Sequence, residues 1–318
     1  MWFKLTSQTV KIIILTHNKD RHFYFCNKII EETNNVVGVF TGAKNVYQNR
    51  LAKFYNLVKR NELLVYFRNK LLNFCFNKYG KAFDKEKEKA EEQFFKGSRK
   101  HFFSHHQNLL ITEIKDKNIS INDSYYVSLI QEQKPDVILV MGTCLIDEKI
   151  IESAKHVVNL HTGLSPYYRG GYSNAWPIIK EDPNKFGVTV HNMSLGIDSG
   201  NIIFSSQPGI SSDDNYGTIN SKCIILGVDK VIETVRNIKI NKMLSLKQWE
   251  QGELQSNLDW NNYVAFLYFK KKEITIQRTL LNISNNILPE LRLVSNGIRN
   301  TLRTKTTTRK DSQRSKKI

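Results

Sequence analysis

Four short runs of branched apolar residues recur along the first half of this chain: IIIL at 12–15, VVGVF at 36–40, VILVM at 137–141 and VVNL at 157–160. Each is too short for a helix and apolar on both faces. That is the signature of a strand buried on both sides of a parallel sheet. Between them lie stretches with apolar residues at helical spacing, RHFYFCNKIIEE at 21–32 and SYYVSLIQEQK at 124–134. NLLITEIK at 108–115 reads as a further strand, and Asp147 is expected to cap a helix over DEKIIESA. SNAWPIIKED at 173–182 reads as a short helix with Pro177 in its first turn. Two strands, FGVTVHNMS at 186–194 and NIIFSSQPGI at 201–210, flank the loop LGIDSG, and a long helix is expected over 218–237. Strands alternating with helices predict an α/β fold with a Rossmann-like, mostly parallel sheet.

The rhythm breaks twice. Residues 47–100 are helix-like throughout and read as a helical insertion within a domain spanning 1–240. Residues 241–296 form a small C-terminal appendage in this reading. From 297 to 318, Thr, Arg, Lys and Ser leave little to bury, so a disordered tail is expected.

Net charge is +17 and unevenly spread. Residues 50–100 hold 14 basic and 6 acidic residues, and residues 298–318 hold 8 and 1. A basic balance suits anionic partners such as nucleotides or RNA. No RNA-binding motif with stacking aromatics is visible, however, and a lysine-rich surface with a basic tail accounts for the charge as well. No run reaches the roughly 18 apolar residues of a membrane span. The four cysteines are scattered, which suggests neither a disulfide framework nor a zinc site. A reducing cytoplasm is the expected location. HFFSHH at 101–106 raises the question of a metal. Without cysteines or carboxylates at ligand spacing, surface histidines are the expectation, and no metal is assigned.

The strand at 157–160 ends in two polar residues, Asn159 and His161, then runs into TGLSPYYRGG. Ligands of open α/β sheets bind beyond the carboxyl ends of strands. Residues i and i+2 share a side of a strand, so Asn159 and His161 converge on one point. Asp198, in the Gly-flanked loop between the last two strands, can orient a histidine and favour its cation. An Asn-His-Asp set without Ser or Cys is not a nucleophilic triad. Two hydrogen-bond donors and a carboxylate suit acyl transfer in which the substrate amine is the nucleophile.

The stretches PDVILVMGTCLIDEKIIESAKHVVNLHTGLSPYYRGG and GVTVHNMSLGIDSGNII resemble the formyltransferase family, which transfers the formyl group of 10-formyltetrahydrofolate to amines. The family includes glycinamide ribonucleotide transformylase, methionyl-tRNA formyltransferase and the sugar N-formyltransferases. Its pattern is a strand ending in Asn-x-His, a Ser-Leu-Leu-Pro loop, and an Asp in a Gly-x-Asp-[Ser/Thr]-Gly loop. The resemblance implies that Asn159, His161 and Asp198 are catalytic. It also implies that Thr143, Cys144 and Leu145, with Leu195, Gly196 and Ile197, line the folate site, largely through their backbone. The Ser-Leu-Leu-Pro loop is replaced here by GLSP, with Gly163 and Ser165. HTGLSPYYRGG, with RHFYF near the N-terminus, looks most like the sugar-nucleotide branch of surface polysaccharide synthesis. The implied partners are folate and a nucleotide sugar, with the insertion available for acceptor binding or a homodimer contact. Methionyl-tRNA formyltransferase is the alternative, although 241–296 is short for that enzyme's β-barrel domain. A formyltetrahydrofolate hydrolase and a degenerate module that binds nucleic acid or a partner are the others. His191, at the end of the strand before the Asp loop, is open between substrate contact and a structural role.

Overall fold

The computed structural model describes residues 10–42, 58–59, 61–116, 119–182, 184–239, 241–256 and 258–284. The first part of the expected insertion, 47–57, and the basic tail at 297–318 lie outside them. The apolar runs become β1 (Ile12–Thr16), β2 (Val36–Gly42), β3 (Leu110–Ile114), β4 (Val137–Met141) and β5 (His156–His161). All five are parallel. β7 (Val188–Asn192) pairs antiparallel with β5, and β8 (Ile202–Ser206) antiparallel with β7. The sheet order is β3-β2-β1-β4-β5-β7-β8. The expected α/β, Rossmann-like, mostly parallel sheet is therefore the one observed. The chain direction across the sheet reverses between β1 and β4, where open sheets of this kind form their ligand crevice.

Alternation divides β1 between two cores. Ile12 and Ile14 join one apolar cluster with α1 (Asp20–Thr33) and α8 (Tyr216–Lys239). Ile13 and Leu15 join the other, with Val127 and Ile130 of α5 (Ser124–Glu132) and Ile150 of α6 (Glu148–Ile151). Each face of the sheet is covered, which is why β1 and β4 are buried along their whole length.

Within the insertion, the described residues form α2 (Leu63–Cys75), α3 (Asn77–Phe95) and α4 (Ser98–His105). α3 packs on α8, and α4 on α1. Phe83, Phe95 and Phe102 are buried in the same core as the sheet. After the sheet, α9 (Asn262–Ser284) packs on α2, α3 and the short α7 (Trp176–Ile179). Its Tyr268 is fully buried. The Tyr268 hydroxyl donates to Glu86 at 2.7 Å and accepts from the Tyr216 amide at 2.9 Å, so neither polar end is left unsatisfied. β6 (Tyr168–Gly170) and β9 (Glu253–Gln255) form a separate parallel pair that ties the segment after α8 to the loop after β5.

Asp147 occupies the N-cap of α6, but its side chain makes no capping bond. Its amide is instead held by Asn122 at 3.0 Å, while the Asn122 amide group donates to the Leu145 carbonyl at 2.8 Å. One side chain thus fixes the whole turn after β4. The capping expected of Asp147 is found one helix earlier, where Asp123 accepts from the Tyr125 amide at 3.0 Å.

Candidate active site

The antiparallel partner of β5 sets the first contact. Register places Asn159 opposite His191 and His161 opposite Thr189. The Asn159 amide nitrogen lies 3.1 Å from His191 Nε2, and His191 Nδ1 lies 2.8 Å from the Asn192 carbonyl. A carbonyl can only accept, so His191 Nδ1 carries a proton and Nε2 is the end turned to Asn159 and the carboxylate. His191 is 1% exposed. It lies beside the Asn159 amide and the Asp198 carboxylate, where it can position both.

The loop after β7 then returns Asp198 to the end of β5. Asp198 sits at φ +47°, a region that residues with a Cβ seldom occupy and that Asp tolerates better than most. Its Oδ2 lies 3.3 Å from His161 Nδ1 and accepts from the Gly170 amide at 2.9 Å. Its Oδ1 lies 3.3 Å from the Asn159 amide nitrogen and 3.4 Å from His191 Nε2. The structure therefore brings Asn159, His161 and Asp198 together. His161 Nε2 faces the Tyr168 carbonyl at 3.2 Å. With an acceptor opposite each ring nitrogen, only the doubly protonated imidazolium donates to both.

The carboxylate is nearly enclosed, its side chain 12% exposed. Burial by itself would raise its proton affinity. The nearby His161 charge, the bond and charge of His191, and the Gly170 amide outweigh burial and hold Asp198 well below the usual carboxylate range. A carboxylate held ionised beside the two rings favours a protonated histidine.

The bonds divide by length. Three of those that hold the frame are short: Gly170 amide to Asp198 at 2.9 Å, and the Gln248 amide group to the Asp198 and Gly200 carbonyls at 2.8 Å each. Those facing the reacting side are long, 3.2–3.3 Å, and so are weaker and more easily exchanged. Arg169, itself buried, adds to the frame by donating to the Ile197 carbonyl at 3.3 Å and to the Gly252 carbonyl at 3.1 Å. Gln248, Gly252 and β9 all come from the segment after α8. Sequence reasoning missed this clamp, and a glutamine some fifty residues from the loop it holds carries no local signal.

Two glycines are required by the geometry. A Cβ on Gly163 would lie 2.3 Å from His161 Nε2 and 2.4 Å from the Ser173 Cβ. Gly170 adopts φ +89° with the Gln255 carbonyl 2.3 Å from where a Cβ would stand. GLSP thus departs from Ser-Leu-Leu-Pro at a position where this packing excludes any side chain.

The six residues expected around folate lie on two turns. Thr143, Cys144 and Leu145 follow β4, and Leu195, Gly196 and Ile197 precede Asp198. Cys144 and Met193, at the bases of the two turns, pack on the same apolar cluster. Leu145 and Leu195 are 67% and 68% exposed, unusually open for leucine. Gly196 is held in a tight turn closed by the Ser194 and Ser199 hydroxyls at 2.8 Å. Two exposed leucines beside a tight turn give apolar walls, a composition that suits a flat heteroaromatic ring.

The family model of formyl transferases matches residues 84–235, a span that contains Asn159, His161, His191 and Asp198. Over that span, just under half of its length, the chain is similar to formyl transferases. The methionyl-tRNA formyltransferase of Chlorobium chlorochromatii is 26% identical to this chain over 170 residues, 51% of this chain and 52% of the relative. The chain spans about half the length of the curated relatives it matches. Among solved structures, a 4-N formyltransferase from Francisella tularensis aligns over 82% of this chain and 87% of its own, with 18% identity and TM-score 0.52. An N-formyltransferase from Helicobacter canadensis aligns over 83% and 82%, with 16% identity and TM-score 0.50. At these identities the solved structures share the formyl transferase fold. The matched span ends before Gln248, so the clamp on the Asp198 loop lies outside it.

Proposed function

We propose that this chain is a folate-dependent N-formyltransferase, in which the formyl group of 10-formyltetrahydrofolate passes to the amine of an amino-sugar nucleotide. The observation that carries the reading is the Asp198 carboxylate, within 3.3 Å of both Asn159 and His161 in a nearly closed site. The folate supplies a formyl carbon on a nitrogen that can depart. The attacking amine nitrogen forms a bond to that carbon, and the formyl oxygen takes up the negative charge. His161 exchanges its Tyr168 carbonyl contact for this oxyanion, and Asn159 exchanges its Asp198 contact. Both donors gain as charge develops, because a hydrogen bond to an ion in a dry site is stronger than one to a carbonyl. Collapse breaks the bond to the folate nitrogen. The proton released by the amine passes to that nitrogen, with Asp198 holding it between them. Leu145 and Leu195, with the backbone of 143–145 and 195–197, hold the pterin.

Two observations favour the sugar branch for the acceptor. The Helicobacter canadensis relative in fold is described in complex with folinic acid and dTDP-3-aminofucose. Residues 241–284, where described, place a helix back on the catalytic core rather than starting a barrel. The curated relatives favour a second reading, methionyl-tRNA as acceptor.

The test is turnover with 10-formyltetrahydrofolate and three acceptor sets: amino-sugar nucleotides, methionyl-tRNA, and water alone. Formamido-sugar product is the expected result. Formylated methionyl-tRNA would transfer the assignment to the second reading, and formate release without acceptor to a hydrolase. Folate-analogue binding without turnover on any set would leave a binding module.

A further inference from the structure

A second group of titratable side chains lies outside the candidate active site and is not used by the proposed reaction. Glu31, near the end of α1, faces the histidines of HFFSHH across the α1–α4 contact. Glu31 Oε1 is 3.3 Å from His101 Nε2. Glu31, His101 and His106 offer three ligand atoms that all lie within 4.8 Å of one another. Among the described residues this is the one set of three or more such side chains placed to share an ion.

The arrangement is held by the fold. α4 packs against α1. At the start of both helices the Asp20 carboxylate accepts from the Gly97 and Arg99 amides at 3.3 and 3.1 Å. Phe102 and Phe103 of α4 pack on Phe23 of α1, with ring centroids 5.0 and 5.4 Å apart. Glu31 stands in the last turn of α1, His101 midway along α4 and His106 at its C-cap. The His106 ring packs on Phe102 at 5.5 Å, and its Nε2 is fully enclosed with no hydrogen-bond partner. A buried ring nitrogen left without a partner is costly and calls for an explanation.

We propose that Glu31, His101 and His106 form a Zn²⁺ site that joins α1 to α4. Two imidazole nitrogens and one carboxylate oxygen match a borderline cation, whereas hard Mg²⁺ and Ca²⁺ take oxygen sets. Ligand atoms around a tetrahedral zinc stand about 3.4 Å apart, given zinc–ligand bonds of about 2.1 Å. The Glu31–His101 spacing already matches, and a side-chain adjustment on the order of 1 Å closes the rest. Water completes the fourth position. Burial first, then the charges of His101 and His105, lower the proton affinity of His106 against the pull of Glu31. That leaves the ring as a neutral ligand near pH 7.

The experiment uses the full chain, freed of any purification tag and stripped with a chelator, titrated with ZnCl₂ by calorimetry. A Co²⁺ titration alongside reads the tetrahedral absorption bands. Wild type is expected to take up one equivalent and to gain thermal stability from it. Glu31→Gln and His106→Ala are each expected to weaken zinc binding by about 100-fold, at least the upper end of second-shell losses. His105→Ala, whose Nδ1 faces the Ser104 hydroxyl and the His101 carbonyl, is expected to keep it. Glu31 is a half-exposed side chain, so its variant decides the matter even where His106→Ala folds poorly. Absence of zinc uptake by wild type, or uptake unchanged in Glu31→Gln, overturns the proposal. So does loss only on mutation of His161 or His191, which would assign the zinc to the active site.

Discussion

The same residue types meet at two places in this molecule with opposite electrostatic outcomes. At the end of β5, Asp198 is buried between two histidines and a backbone amide, and its carboxyl is held far toward the ionised form. Between α1 and α4, Glu31 is half-exposed and His106 is partly buried with its Nε2 enclosed, so burial lowers the proton affinity of the imidazole. Where the anion is buried and well solvated by donors, the histidine beside it is kept as a cation, ready to donate. Where the histidine is the more buried partner and the anion is at the surface, the ring is the better lone-pair donor for a metal. Burial of one partner, and not the identity of the pair, sets the chemistry.

The largest expected effect comes from removing the buried anion. Asp198→Asn should lower kcat by about 10³-fold, within the range of lost proton-transfer catalysis, while folate-analogue affinity stays near wild type. Steady-state kinetics beside a binding titration separates the two. An unchanged kcat would erase the distinction between the clusters. Gly163→Ala pushes a methyl against the His161 ring and should cost about 100-fold in kcat, as expected for a misplacement of about 1 Å. The same enzyme should retain the wild-type circular dichroism spectrum. Gln248→Ala frees the Asp198 backbone but leaves the ion pair intact, so about a tenfold fall in kcat with little change in KM is expected. Restoration of KM and kcat together to wild type in that variant would show that the clamp is dispensable.

The smallest effect is on stability against pH. The folded Asp198 binds its proton more weakly than the unfolded chain does. Its contribution is therefore fully present above the ordinary carboxylate pKa of about 4 and is lost as pH falls through the lower folded value. Denaturant midpoints measured from pH 5 downward should fall less steeply in Asp198→Asn than in wild type. An equally steep fall would mean that other carboxylates carry the acid limb.

Much of the sheet was legible because its strands are short, uniformly apolar and separated by helical spacing. β2 and β5 coincide with runs visible in the sequence, and α8 extends two residues beyond each end of the expected helix. β6 and β9 were not legible. Three-residue strands carry no period, and their pairing is fixed by where the segment after α8 is delivered. The antiparallel setting of β7 was equally hidden, since a strand with both faces covered reads the same in either direction. Yet it is this direction that puts His191 opposite Asn159. The residues of the expected appendage gave an aromatic-rich stretch, and the structure shows Tyr268 and its helix lying in the main core.

Chemistry concentrated in a few adjacent residues was fixed by the sequence. Asn159 and His161 stand two apart on a strand, and a strand turns them to the same side whatever surrounds it. The Gly-bracketed Asp198 is likewise local. What the tertiary structure decided is which groups become partners. Gln248 reaches the Asp198 loop, Arg169 links it to Gly252, and Glu31 supplies the carboxylate that HFFSHH lacks, 70 residues away in the chain. Hydrogen bonds and ligand sets act over about 3 Å of space, and distance along the sequence says nothing about that separation until the helices and strands have packed.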